Sequence, residues 1–174
     1  MKSNIFITND RKYWKSLYNE PEFMDGIFNA KQHCLYMRGL FELELIHINR
    51  IVEFGCGYGH ILKNLISTFH PTTIEVVEPS RSAIELAKKR IKKTNTSKIK
   101  FHQSTIQNWC KKQSTSKKIY DLAVCNSVFQ YIPSNQLPRV ISLLSKKFRY
   151  SSAVIKLDAS SATEILTLAI HPLV

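Results

Sequence analysis

Three glycines alternate through Phe54-Gly-Cys-Gly-Tyr-Gly-His60, between two segments of different periodicity. Before them stands a short β-rich run, Arg50-Ile-Val-Glu-Phe54. After them Ile61, Leu62, Leu65, Ile66 and Phe69 recur at helical spacing until His70-Pro71 stops the helix. Glycine in such a strand–helix turn accepts positive φ and lets a ligand approach the backbone, although a plain tight turn uses it too. A dinucleotide loop would read G-x-G-x-x-G, with a pyrophosphate over the helix N-terminus. Here the spacing is G-x-G-x-G and Glu53 precedes it. A carboxylate in that place repels a pyrophosphate and suits a ligand bearing an ammonium or sulfonium cation. About twenty residues past the loop a second β-rich run, Thr73-Ile-Glu-Val-Val77, ends at Glu78. A carboxylate there can accept both hydroxyls of a ribose. One cationic, ribose-bearing ligand satisfies both observations.

The rest of the chain keeps the alternation. A helix is expected from about Gly26 to Leu45, and Ser80 caps another that runs to about Lys93 with Ile84, Leu86, Ala87 and Ile91 facing inward. A third strand begins at Ile99-Lys-Phe101, a short helix covers Ile106 to Lys112, and Tyr120 to Cys125 is the fourth strand. A helix from about Ser134 to Phe148 and a fifth strand, Ala153 to Leu157, complete the pattern. Strands alternating with helices at this spacing predict a doubly wound, mostly parallel α/β sheet with ligands at the carboxyl ends of its central strands.

These residues resemble the class I S-adenosylmethionine (SAM)-dependent methyltransferases, whose first motif is E/D-x-G-x-G-x-G, and the resemblance covers about residues 48–158. It implies a Rossmann-like fold with SAM as cofactor. Glu53, Gly55, Cys56, Gly57 and Gly59 would line the methionine moiety, and Glu78 with Pro79 would hold the ribose. After the third strand the family often has an acid on the adenine amino group. Ser104 stands there instead, so Ser104 or Gln103 would make that contact without charge. Asp121 opens the fourth strand and Asn126 ends it, where SAM and acceptor would meet near Tyr131. The run Asn126-Ser-Val-Phe-Gln-Tyr-Ile-Pro133 is similar to methyltransferases of small molecules, including those embedded in peptide and polyketide assembly lines, and lacks the N-P-P-aromatic sequence of many nucleic-acid and protein N-methyltransferases. The expectation is methyl transfer to an O or N atom of a small molecule. An RNA or protein methyltransferase, or an inactive SAM-binding partner subunit, are the alternatives.

No general base is assigned. His33, His60 and His171 could serve in principle, each with a plainer reading as packing, a cap or a chain-end residue, and methyl transfer from a sulfonium relies mainly on alignment. Cys125 lacks a Pro-Cys context and reads as packing. The four cysteines show no zinc-type spacing, and no secretory or membrane-spanning run stands out, so no metal, no membrane and a cytoplasmic address are expected. The net charge of +12 is local: residues 81–118 carry +11 of it, mostly in lysines and with few interleaved aromatics. That scarcity of aromatics favours a solvated face over a stacking surface for nucleic acid. Residues 1–45, with Tyr13, Trp14 and Tyr18, are expected to form a helical lid over a SAM-binding unit at 46–174. Fewer than twenty residues follow Leu157, room for one helix and not for the family's C-terminal hairpin. A protein partner covering the fifth-strand edge is one way to complete such a sheet.

Overall fold

The computed structural model describes residues 29–91, 98–116, 118–126 and 128–154. Ala30–Leu43 is helix α1, followed by β1 (Arg50–Phe54), α2 (His60–Phe69), β2 (Thr73–Glu78) and α3 (Arg81–Ile91). Then come β3 (Lys98–Gln103), α4 (Ile106–Gln113), β4 (Tyr120–Asn126), a 3-10 turn at Phe129–Tyr131, α5 (Leu137–Ser145) and β5 (Phe148–Val154). The five strands form one sheet in the order β3-β2-β1-β4-β5, and every pairing is parallel. The Rossmann-like expectation holds. The order reverses between β1 and β4, which opens a crevice at their carboxyl ends.

Both faces of the sheet are covered. On one, Cys34 and Met37 of α1, Leu62 and Leu65 of α2 and Ala87 of α3 pack against Ile51, Ile74, Val76 and Val124. On the other, Trp109 of α4 and Val140 and Leu144 of α5 pack against Val52, Phe54, Val77 and Ala123. Strands buried on both sides read as continuous apolar runs, which is why β1 and β4 were easy to see. Trp109 anchors the second face, with its ring centroid 5.2 Å from Phe54 and 5.7 Å from Tyr120.

Local chemistry fixes the element ends. His70 takes φ 48° and its N–H closes α2 on the Ile66 carbonyl at 3.1 Å. Ser80 Oγ accepts from Ala83 N at 3.1 Å, and Thr105 Oγ1 accepts from Asn108 N at 3.2 Å, so both start helices as N-caps. At the amino ends of the strands, Asp121 Oδ2 accepts from Asn49 N at 2.9 Å and Arg50 N at 2.8 Å, tying the start of β4 to the start of β1.

Three boundaries differ from the sequence reading, one being that the last helix ends at Ser145 rather than Phe148. The last helix starts at Leu137 rather than Ser134, because residues 134–136 form a turn and Pro138 sits in the first helical turn, where proline is tolerated. The fifth strand starts at Phe148 rather than Ala153: the polar Arg149 and paired serines hid a strand whose register runs from Tyr120↔Phe148 to Asn126↔Val154. Residues 155–157 of the expected strand, Tyr13, Trp14, Tyr18 and His171 lie outside the described residues.

Candidate functional site

The carboxyl ends of β1, β2, β3 and β4 bring the predicted residues together. Phe54 pairs with Val77, and Gly55 N continues that ladder to the Val77 carbonyl at 2.8 Å. Glu53 and Glu78 share the sheet face that carries Ile51, Ile74 and Val76, since side chains alternate along a strand. Both carboxylates are 2% exposed. Glu78 Oε1 accepts from Ser80 N at 2.9 Å and Oε2 from Gly57 N at 3.4 Å, so it ties the glycine loop to the start of α3. Pro79 is exposed between them.

Glu53 has the opposite surroundings. Its Oε2 is buried and has no hydrogen-bond partner among the described residues. Burial, and next the negative charge of Glu78, raise its pKa to about 8, against a backbone hydrogen bond from Leu62. Leaving a charged oxygen without a donor inside a protein costs several kcal/mol, on the order of 3 or more. The proton removes that cost.

All three loop glycines have positive φ: 73° at Gly55, 47° at Gly57 and 78° at Gly59. For Gly55 and Gly59 the close neighbour is the protein itself. A Cβ on Gly55 would stand 2.5 Å from Val128 Cγ2, and one on Gly59 would stand 2.9 Å from the Ala87 backbone. Sequence reasoning gave these glycines to ligand approach or a plain tight turn and missed their packing. Leu86, expected inward with Ile84, Ala87 and Ile91, is instead exposed, and Ala83 is buried beside them. Arg90, also missed, braces the loop by donating from Nε to the Tyr58 carbonyl at 2.9 Å.

Gln103 ends β3 opposite Glu78, and Ser104 N reaches the Glu78 carbonyl at 3.2 Å. Ser104 Oγ donates to the Thr105 carbonyl at 3.1 Å. Both line a polar groove with Asn108, Lys111, Lys112 and Thr115. Asn126, half-buried, ends β4 beyond the Glu53↔Val124 pair, on the other side of the loop. His33 is buried in α1 and its pKa is lowered by burial, whereas His60, at the start of α2, is lowered to about 4 by burial and by Arg90 and Lys63. Neither presents a charged imidazolium at neutral pH.

All four cysteines are buried and free. Cys56 is pushed up by burial and by both glutamates, and Cys125 by burial and Cys110, so neither is a thiolate near neutral pH. Lys98 and Lys100 stand exposed on the edge strand β3, and Lys111 and Lys112 on α4. Lys118 pairs with Glu75, and Lys88 lies 5.1 Å from the centre of the Phe101 ring. Among the described residues no helix is long and apolar enough to cross a membrane.

Comparisons with known proteins agree with this arrangement. A malonyl-[acyl-carrier protein] O-methyltransferase of Halalkalibacterium halodurans is 30% identical over 82 residues, 47% of this chain and 29% of the relative. A nonribosomal peptide synthetase, penN, of Penicillium thymicola is 36% identical over 96 residues, 53% of this chain and 3% of that protein. The matched region thus spans a minor part of the length of both these relatives. Among solved structures, the plantazolicin methyltransferase BpumL in complex with SAH superposes with a TM-score of 0.64 at 18% identity, over 86% of this chain and 54% of that one. A SAM-dependent methyltransferase from Clostridium acetobutylicum gives 0.66 at 15%, over 83% and 56%. These likenesses share the fold. The methyltransferase domain family model matches residues 49–165, from the start of β1 past β5 and through the whole of the site, and the chain belongs to that family.

Proposed function

We propose that this site binds S-adenosylmethionine and that the protein moves the methyl group to an oxygen or nitrogen of a small molecule. The observation that carries the reading is the pair of buried glutamates on either side of a left-handed glycine loop. The residues present fit the ligand. Glu53 Oε2 has no donor among the described residues, and an ammonium supplies one. Glu78, fixed by two backbone amides beside the exposed Pro79, holds the carboxylate a ribose needs. Gly57 and Cys56 give the loop edge along which a methionine chain can lie. Ser104 donates to Thr105, which leaves its oxygen able to accept from an adenine amino group, with Gln103 beside it.

The bound cofactor supplies a methyl carbon made electrophilic by its sulfonium. The chain's part is alignment: Glu53, Glu78 and the loop fix one partner, and Asn126 at the end of β4 borders the place from which the acceptor approaches. Residues 1–45 would act as the lid over a SAM-binding unit at 46–174. The relatives' names favour an acceptor carried on, or built by, an assembly line. The exposed lysines of β3 and α4 are the observation behind the second reading, an RNA or protein acceptor, which steeply salt-dependent RNA binding would favour. A partner over β5 and a cytoplasmic address belong to the same proposal.

Titration calorimetry with SAM and S-adenosylhomocysteine tests the site. Micromolar binding is expected, weakened about 10- to 100-fold in Glu78→Ala, as for the loss of charged hydrogen bonds. Unchanged affinity in Glu78→Ala and in Gly57→Val would refute the assignment.

A further inference from the structure

Glu53 stands where several elements converge. Glu78 lies on the same face of β2, and Cys56 is in the glycine loop. Cys34 and His33 lie on α1, and His60 and the Leu62 amide on α2, while Asn126 ends β4. None of the titratable groups among them is cationic at neutral pH. Burial above all pushes the Cys34 thiol up to about 12, and both histidines are held neutral. Arg90 and Lys63 act on His60, at the outer end of the loop. Glu78 accepts from two backbone amides, those of Gly57 and Ser80. A bare carboxylate at Glu53 beside it, buried and without a donor at Oε2, has nothing among the described residues to balance it.

We propose that Glu53 is an exchangeable counter-ion, protonated in the cofactor-free protein, that gives up its proton when the cofactor's ammonium takes the proton's place. This rests on the cofactor reading above. The exchange balances. The Glu53 O–H bond breaks, the proton leaves to buffer, and the carboxylate that remains pairs with the incoming ammonium. The buried region keeps the same charge before and after, so the ammonium enters without leaving an unpaired ion. Cofactor affinity is thereby tied to pH through a residue that does no chemistry on the methyl group.

Calorimetry in buffers of different ionisation enthalpy counts the protons released. With a Glu53 pKa of about 8, close to one proton per bound SAM or S-adenosylhomocysteine is expected at pH 7. Affinity should rise about tenfold from pH 6 to pH 7. The useful window closes near pH 8, where the ligand's own amine begins to lose its proton. Glu53→Gln should bind more weakly, release no proton and show a flat profile. If that variant fails to fold, the wild-type buffer series decides alone, together with the carboxyl ¹³C resonance of Glu53 in cofactor-free protein, expected to titrate near 8. Tight binding without proton release, or a resonance titrating near the ordinary glutamate value, overturns the proposal and leaves the cofactor reading standing. A folded protein that binds neither ligand in any buffer overturns both.

Discussion

In the amino-terminal halves of the strands, Glu75 and Asp121 are buried with donors on several sides, whereas at the carboxyl ends Glu53 is buried with an oxygen that no described residue satisfies. Glu75 Oε2 meets His102 Nε2 at 2.8 Å, and its Oε1 takes Tyr120 Oη at 3.0 Å and the ammonium of Lys118. Asp121 holds two backbone amides. Burial pushes the Glu75 carboxyl up, but hydrogen bonds from Lys118 and Tyr120, with the Lys118 charge, more than reverse it, so its pKa ends below the ordinary value. Glu53 moves the other way. The same residue type at similar burial is thus a fastener at one end of the sheet and an unfilled demand at the other. A carboxylate that the fold itself satisfies holds the fold, and one that it leaves wanting is a place for a ligand.

The contrast is open to direct attack. The largest effect expected is on pH dependence without cofactor. Native Glu53 keeps a proton that the unfolded chain loses above about 4.5, so its contribution to stability falls as pH rises from there to about 8 and then levels. Urea unfolding from pH 5 to 9 should show Glu53→Gln gaining on the parent across that window, by on the order of a few kcal/mol. Parallel curves would mean that Glu53 is not protonated. Glu75→Ala strands Lys118, His102 and Tyr120 and should cost about 3 kcal/mol, with cofactor affinity of the folded protein unchanged. Because the Glu75 carboxyl is lowered, its own contribution is present above the unfolded pKa and is lost as pH falls, the reverse of Glu53. Asp121→Ala leaves two amides without an acceptor and should cost about 2 kcal/mol, also without touching affinity. Arg149, 3.9 Å from Asp121 and 61% exposed, marks the lower limit: Arg149→Ala should change stability by less than about 0.5 kcal/mol.

How much of this could be read beforehand depended on how local the signal was. The parallel α/β order, the glycine loop and Glu78 were legible because each declares itself within a short window: apolar runs, alternating glycines, an acid closing a strand. Ser80 as a cap was legible for the same reason. The start of β5 was not, because Arg149 and two serines break the apolar pattern while pairing with β4 supplies what they lack. Nor could one sequence tell Glu53 from Glu75. Both are acids in β-rich runs, and the difference lies in Lys118 and Tyr120, some forty residues away from one and absent from the other. The packing of Gly59 on Ala87 was hidden likewise, since it is a contact between two helical units.

The central place of β1 also governs how the sheet can be assembled as the chain emerges from a ribosome. One neighbour, β2, follows almost at once, but the contact that joins β1 to β4 spans 72 residues. At synthesis rates of roughly 5–20 residues per second, that side of β1 waits about 4–14 s for its partner. Throughout that interval a row of apolar residues and unpaired amides stands open to any other nascent strand. Asp121, which grips the first amides of β1 as β4 arrives, is placed to end that exposure, and translation speed between residues 54 and 121 should weigh on yield more than speed elsewhere in the chain.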